Sequence, residues 1–281
     1  MKASAVFAAL AASVDGAVLW DGRFNDFSSS KDLNTWSWSN QVGPYQYYIH
    51  GSGTVEKYVN LSPDYKNPAD TVSKQGAKFT LDNTAFWNGQ TMRRTELIPQ
   101  TKAAINKGKV FYHFSISRKD TNAPSVNREH QICFFESKYQ QALLYNWRLS
   151  QLIHPTGHFT ELKYGWISGE SGTSNPNLQW MTNQKSQWKT EWKAGVWHNV
   201  AYEIDFSANK VGFWHSEGAD PLKQVVAPVA VSTSSNGADW HLGVLELPRS
   251  GYSDANEDFY FSGVYIEDGT ITTAIGGPGK S

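Results

Sequence analysis

From Val18 onward, apolar and polar residues alternate over short runs, the two-residue period of strands that turn one face to a core. Clear examples are 109–118 (KVFYHFSISR), 196–206 (VWHNVAYEIDF), 210–214 (KVGFW), 240–247 (WHLGVLEL) and 259–266 (FYFSGVYI). Clusters of Gly, Pro, Asn and Ser separate them, as at Ser52-Gly53, Asn67-Pro68, Asn175-Pro176 and 234–237. The pattern predicts a single all-β domain, a two-sheet antiparallel sandwich, with no internal repeat and no dividing linker. Two stretches depart from it. Residues 138–157 place Leu143, Leu144, Trp147 and Ile153 near helical spacing and read as a helix inserted between strands. Residues 1–17 begin Met1-Lys2 and continue with the small apolar run ASAVFAALAA, the form of a secretory signal peptide, too short to span a bilayer. The end, 275–281 (IGGPGKS), is expected to fray.

The chain has 281 residues, enough to bury a large core without covalent staples, and its one cysteine, Cys133, allows no internal disulfide. Lys plus Arg number 25 against 26 Asp plus Glu, so the basic footprint of a nucleic-acid binder is missing. Twelve tryptophans fit either stacking on sugar rings or an aromatic core. The sequence Asn60-Leu61-Ser62 is an acceptor for N-glycosylation, in keeping with a secreted, extracellular protein.

No glycine-rich phosphate loop, zinc-type histidine pair, serine-hydrolase elbow or paired cysteine is present. What remains is carboxylates and histidines on strands. In 93–97 (RRTEL), strand geometry puts Arg94 and Glu96 on one face, where the cation favours an ionised carboxylate. An exposed pair of this kind is equally an ordinary surface ion pair. In 128–137 (REHQICFFES), His130, Ile132, Phe134 and Glu136 share one parity, and Gln131, Cys133 and Phe135 the other. Glu136, ending an aromatic strand, is expected to be partly desolvated, with a raised pKa suited to a proton donor, or else to sit in solvent. His198, His215 and His241 each follow a Trp, and most of them are expected to be structural. Glu203 and Asp205 invite comparison with the Glu-x-Asp-x-x-Glu strand of laminarinase-type glucanases, but position 208 is Ala208, which leaves them as a solvated strand face.

Taken together, VLWDGRFNDF near the start, RRTELIP around Glu96, EHQICFFES around Glu136, GADWHLGVLELPRSG around His241 and DFYFSGVYIE near the end resemble fungal glycoside hydrolase family 131, in order along nearly the whole chain. The resemblance implies a β-jelly-roll sandwich of the concanavalin A type, secretion, and inverting hydrolysis of β-1,3-, β-1,6- and β-1,4-glucans. It also implies that Glu96, Glu136 and His241 form the catalytic centre. On that reading Glu136 protonates the leaving oxygen, Glu96 activates water and His241 orients a carboxylate or the substrate, with the two Glu roles exchangeable. An inverting pair keeps its carboxyl groups roughly 6.5 to 9.5 Å apart to admit a water. Arg94, His130, Gln131, Trp36, Trp38, Tyr47 and Trp87 are the candidate substrate-binding residues, with Tyr45, Tyr48 and Trp166 as further aromatic candidates for sugar subsites. Neither a metal nor another cofactor is required, and the expected partner is a β-glucan bound by a monomer, with no nucleic acid and no membrane.

A more distant resemblance to jelly-roll alginate and glucuronan lyases supplies an alternative, β-elimination on a polyuronate. The chain departs from that pattern where Gln131-Ile132 is followed by Cys133 in place of a histidine. A noncatalytic glucan-binding module, which needs the aromatics but not the carboxylates, is the third reading.

In the resembled family the FFES strand runs directly into a segment like His158-Phe159-Thr160-Glu161. Residues 137–139 can be encoded with the splice donor GTAAGT and 155–157 with an acceptor ACAG. The insert 138–157 is therefore read as an unspliced intron, against the alternative of a lid helix over the cleft. Tryptic mapping of the secreted protein is expected to yield EHQICFFESHFTELK, joining Ser137 to His158. A peptide YQQALLYNWR, 139–148, would refute this reading.

Overall fold

The computed structural model describes residues 16–87, 89–136 and 158–279. Residues 1–15 of the expected leader 1–17, and the insert 138–157, lie outside the described residues. Fifteen strands, numbered along the chain, make two antiparallel sheets among the described residues. The outer sheet runs, in spatial order, β13 (Lys223–Ala230), β12 (Lys210–Glu217), β11 (His198–Asp205), β6 (Lys109–Ser117), β15 (Glu257–Asp268), β4 (Gly76–Leu81) and β3 (Val59–Ser62), with β1 (Val18–Asp21) also on β15. The inner sheet runs β10 (Lys185–Glu191), β9 (Asn177–Thr182), β8 (Thr160–Tyr164), β7 (His130–Phe135), β14 (Trp240–Glu246), β5 (Arg93–Pro99) and β2 (Tyr45–Ile49). This is the two-sheet jelly-roll sandwich expected from the alternation, and all five runs singled out in the sequence lie in strands.

The core between the sheets is aromatic. Val110, Tyr112, Phe114 and Ile116 of β6 face Phe135 and Trp240, whose rings lie 4.9 and 5.1 Å from that of Tyr112. Trp20, Trp180, Trp192 and Trp240 are fully or almost fully buried, whereas Trp36 and Trp87 are half-buried and Trp38 is 71% exposed. The tryptophan excess therefore serves both the core and the surface.

Part of the other side of the outer sheet, around β6 and β15, is covered too, by the loop 63–75 and the chain end. His113 stacks on Tyr265 at 4.2 Å, and Arg23 donates to the carbonyls of Gly276 and Pro278. Gly276 has φ 84°, and a Cβ there would stand 2.0 Å from Asp70 Oδ1. The end is thus docked through Gly277, in contrast to the fraying expected, because backbone carbonyls and close glycine packing hold it.

At one end of the core the sheets are joined by buried charges. Glu246 of β14 meets Arg93 Nη2 at 2.5 Å and Arg128 Nε at 2.7 Å, while Glu257 of β15 meets His130 Nε2 at 2.5 Å. Burial works against a charge on His130, yet Glu257 and Glu246 lift its pKa to about 10. Glu246 is likewise held at about 2 by His130 and Arg93 in spite of its burial. Glu246→Ala would leave two guanidinium groups without their shared carboxylate and is expected to cost about 3 to 5 kcal/mol. Urea unfolding checks this, and an unchanged midpoint would show that water replaces the carboxylate without penalty.

Candidate active site

The inner sheet turns its second face outward, and the predicted residues gather there on adjacent strands. Alternation along β5 sends Arg93, Thr95 and Leu97 to the core and Arg94 and Glu96 to the outward face. Arg94 grips Glu96 with Nε on Oε1 at 2.6 Å and Nη2 on Oε2 at 2.7 Å. The same Nη2 reaches Glu136 Oε1 at 3.2 Å. His241 of β14 lies 2.6 Å from Glu96 Oε2 through Nδ1, and its Nε2 is 3.9 Å from Glu136 Oε2. Glu96, Glu136 and His241 thus form one constellation around Arg94.

The two carboxylates differ in access. The Glu96 side chain is 0% exposed and that of Glu136 is 13% exposed. Burial acts to raise the pKa of Glu96, but Arg94 and then His241 outweigh it and hold the carboxyl below its usual range. For Glu136 the opposing influence of burial is overcome by His241, Arg94 and His158, with a net lowering. The raised value expected for Glu136 from desolvation alone is therefore corrected: three basic neighbours prevail. Because one nitrogen touches both carboxylates, those oxygens are closer together than the sum of 2.7 and 3.2 Å. That falls short of the roughly 6.5 Å minimum for an inverting pair with a water between.

Strand β7 does not keep a single parity. Cys133 has φ 47° and stands opposite both Leu242 and Gly243, where the pairing of β7 with β14 shifts by one residue. His130 and Ile132 consequently face the core, while Gln131, Phe134 and Glu136 share the outward face. His130, expected beside the substrate, is instead fully buried in the inter-sheet charge network. Gln131 does lie on the outward side, donating to Glu129 Oε1 at 3.0 Å next to Lys163.

Of the aromatic candidates, Trp36, Trp38 and Trp87 make a row with Tyr48. Ring centroids are 4.9 Å apart for Trp36 and Trp38, 6.5 Å for Trp38 and Tyr48, and 5.7 Å for Tyr48 and Trp87. Arg94 lies 6.0 Å from the Trp87 ring, so the row leads to the carboxylates. Tyr47 is not part of it. It pairs with Leu97, packs against the core and stacks on His50 at 4.5 Å, and its neighbour Tyr48 takes the outward place. Of the further candidates, Tyr45 is buried in the core and Trp166 lies elsewhere, under the Arg249 guanidinium at 3.6 Å.

The structure adds residues that motif reading missed. The Phe134 ring is stacked between His241 at 4.9 Å and His158 at 4.2 Å. His158 Nδ1 lies 2.8 Å from Glu161 Oε2, and Lys163 holds Glu129 at 2.6 Å and Glu161 at 3.6 Å. Two imidazole–carboxylate pairs, Glu96–His241 and Glu161–His158, therefore flank one phenyl ring. The signal was available in 158–163 (HFTELK), whose alternation puts Glu161 and Lys163 on one face of β8.

The family model described as the glycoside hydrolase 131 catalytic N-terminal domain matches residues 18–272. The chain belongs to glycoside hydrolase family 131. Among solved structures, a family 131 β-glucanase catalytic domain from Podospora anserina is 68% identical at a TM-score of 0.85, with 93% of this chain and 100% of that one covered. The catalytic domain of a family 131 protein from Coprinopsis cinerea is 46% identical at a TM-score of 0.80, covering 92% and 98%. A search of curated proteins finds no match. Family 131 membership makes the chain a glycoside hydrolase catalytic domain, and the constellation on the inner sheet is its candidate active site.

The charges on Glu136 give a direct consequence. Removing an imidazole that favours its ionised form must raise its pKa. In His241→Gln the Glu136 carboxyl is expected to titrate at higher pH than in the parent protein, followed by carbon NMR of labelled glutamate. Because the folded-state pKa is depressed, the stability it contributes is present above the unfolded pKa and is lost as pH falls through the folded one. In the variant that contribution should be smaller and its loss complete at a higher pH, because the folded pKa moves up toward the unfolded one. A midpoint that stays or moves down contradicts the assigned electrostatics.

Proposed function

We propose that this family 131 domain is a secreted, extracellular β-glucanase that hydrolyses neutral β-1,3-, β-1,6- and β-1,4-linked glucans lying across the outward face of the inner sheet. The observation that carries the choice of a neutral substrate is that the two cations beside the constellation, Arg94 and Lys163, are already committed to carboxylates. Arg94 is bound by Glu96 and Glu136, and Lys163 by Glu129 and Glu161. A lyase must offer free positive charge to neutralise a uronate before the C5 proton is abstracted. A polyuronate here would meet four carboxylates around two cations.

Glu136 is the carboxylate that meets the sugar and exchanges a proton with it. Glu96, sealed behind Arg94 and His241, is a positioning group: it fixes the tautomer of His241 by accepting from Nδ1, leaving Nε2 as the nitrogen toward Glu136. Inversion demands a second proton-handling group on the other side of the reacting ring. His158, backed by Glu161 across Phe134 from His241, fills that role better than the enclosed Glu96. The aromatic row from Trp36 to Trp87 supplies sugar-stacking subsites. No step calls for a metal.

The test incubates the parent enzyme, Glu136→Gln and His158→Gln with laminarin, a β-1,4-glucan and a polyglucuronate. Expected are reducing sugar from the glucans without absorbance growth near 235 nm, and turnover lowered by about two to four orders of magnitude in Glu136→Gln, less steeply in His158→Gln. An unsaturated product from the polyuronate would replace hydrolysis by elimination. Glucan hydrolysis by Glu136→Gln near the parent rate would remove Glu136 from the mechanism.

A further inference from the structure

The outer sheet carries a second histidine cluster that glucan hydrolysis does not use. His198 opens β11 and stands directly opposite Glu217, which closes β12, and His215 lies two residues back on the same face. His198 Nδ1 is 3.0 Å from His215 Nε2 and 3.8 Å from a Glu217 carboxylate oxygen. One ligand atom from each of the three residues falls within 4.8 Å of the others. Both imidazoles are buried, His215 beneath the Trp188 ring at 4.4 Å, while the Glu217 side chain is 53% exposed and leaves the cluster open on one side.

We propose that His198, His215 and Glu217 bind a divalent transition-metal ion of the zinc class, with water completing the coordination on the Glu217 side. Zinc takes imidazole nitrogen at about 2.0 to 2.1 Å, which places two tetrahedral donors about 3.4 Å apart. The distances of 3.0 and 3.8 Å bracket that spacing. Only a small rotation of rings and carboxylate separates this arrangement from coordination. Each imidazole ligates through the nitrogen facing the ion and keeps its proton on the other, so nothing is oxidised or displaced beyond the hydrogen bond the two rings share. Two neutral nitrogens and one carboxylate select Zn²⁺, Co²⁺, Ni²⁺ or Cu²⁺ over Ca²⁺ and Mg²⁺, which require oxygen cages.

The contrast with the other histidine–carboxylate cluster is instructive. His130, Glu246 and Glu257 are as close together, but Arg93 and Arg128 occupy their carboxylates and His130 is protonated. Among the described residues, no lysine or arginine pairs with Glu217. Its geometric partner is His198.

The test uses untagged, full-length protein freed of metal by chelator. Calorimetric titration with Zn²⁺ should show one ion per chain, and Co²⁺ should give the visible bands of a tetrahedral nitrogen and oxygen site. Loss of even a supporting partner of a ligand weakens metal affinity about 10- to 100-fold, so Glu217→Gln and His215→Gln should each lose at least about tenfold. The exposed Glu217 can be changed without disturbing the core, which guards against a folding failure in the histidine variant. Laminarin hydrolysis by Glu217→Gln should match the parent, since the cluster lies on the opposite sheet from the cleft. Absence of Zn²⁺ binding by the parent protein, or unchanged binding in both variants, overturns the proposal, as does displacement of Zn²⁺ by excess Ca²⁺.

Discussion

Everything on the outward face of the inner sheet depends on a change of phase in β7. A regular strand would send His130, Ile132, Phe134 and Glu136 to one side, and the Glu136 carboxylate would then compete with the core for the same face. Cys133, at φ 47°, takes the place of two residues against Leu242 and Gly243 and reverses the alternation. A non-glycine residue held there costs of order 1 to 3 kcal/mol. The surroundings enforce it. Gly243 has φ 146°, and a Cβ on it would come within 2.2 Å of the Thr95 carbonyl oxygen. The thiol itself is fully buried and its pKa is pushed up by burial, so its place in the core is one of packing, not reactivity.

That reversal lets one short strand serve two charge systems. Upstream of Cys133, His130 joins the inter-sheet network, and downstream of it Glu136 joins the cleft. On β5 the division needs no irregularity: adjacent Arg93 and Arg94 point to opposite faces, one to Glu246 in the core and the other to Glu96 and Glu136 outside. Removing ions from water is expensive, and such clusters persist only where every partner is supplied. Here the core network ties β5, β7 and β14 to Glu257 at the start of β15, so the same strands that carry the site are locked to the opposite sheet.

The sandwich was legible because strand period and turn chemistry agree along most of the chain, and the grouping of Arg94 with Glu96 followed from parity alone. Glu136 and His241 were placed by resemblance to family 131 motifs, and the structure brings them together with Glu96. Parity misplaced His130 because a positive φ at Cys133 is set by its neighbours on β14, which no local reading of 128–137 contains. Tyr47 and Tyr48, both aromatic candidates, could not be told apart for a similar reason: nothing in the run YQYYI says which parity faces the core until Tyr47 is paired with Leu97. Glu136 was assigned a raised pKa because burial is visible from an aromatic context, whereas the basic side chains that reverse its effect come from β5, β14 and the start of β8. His158 and Glu161 escaped notice since a His and a Glu three residues apart carry little signal until Phe134 is seen to stack between two imidazoles.

The division of labour between strands and loops bears on how one site could accept several linkages. The groups of the candidate site are fixed by β-structure and by mutual contacts: Phe134 is clamped by two rings, each imidazole by a carboxylate, and each carboxylate by a cation. Preorganisation of this kind keeps the reacting atoms in place whatever sugar chain enters. The sugar-stacking proposed for Trp36, Trp38 and Trp87 rests on residues that lie outside the strands and are half-buried or exposed. Flat aromatic faces on loops read the apolar side of a pyranose without fixing the torsion of the next glycosidic bond. A glucan that bends after one ring can still stack on the next, so rigid chemistry beside adaptable aromatics is the arrangement that the proposed breadth of linkage requires.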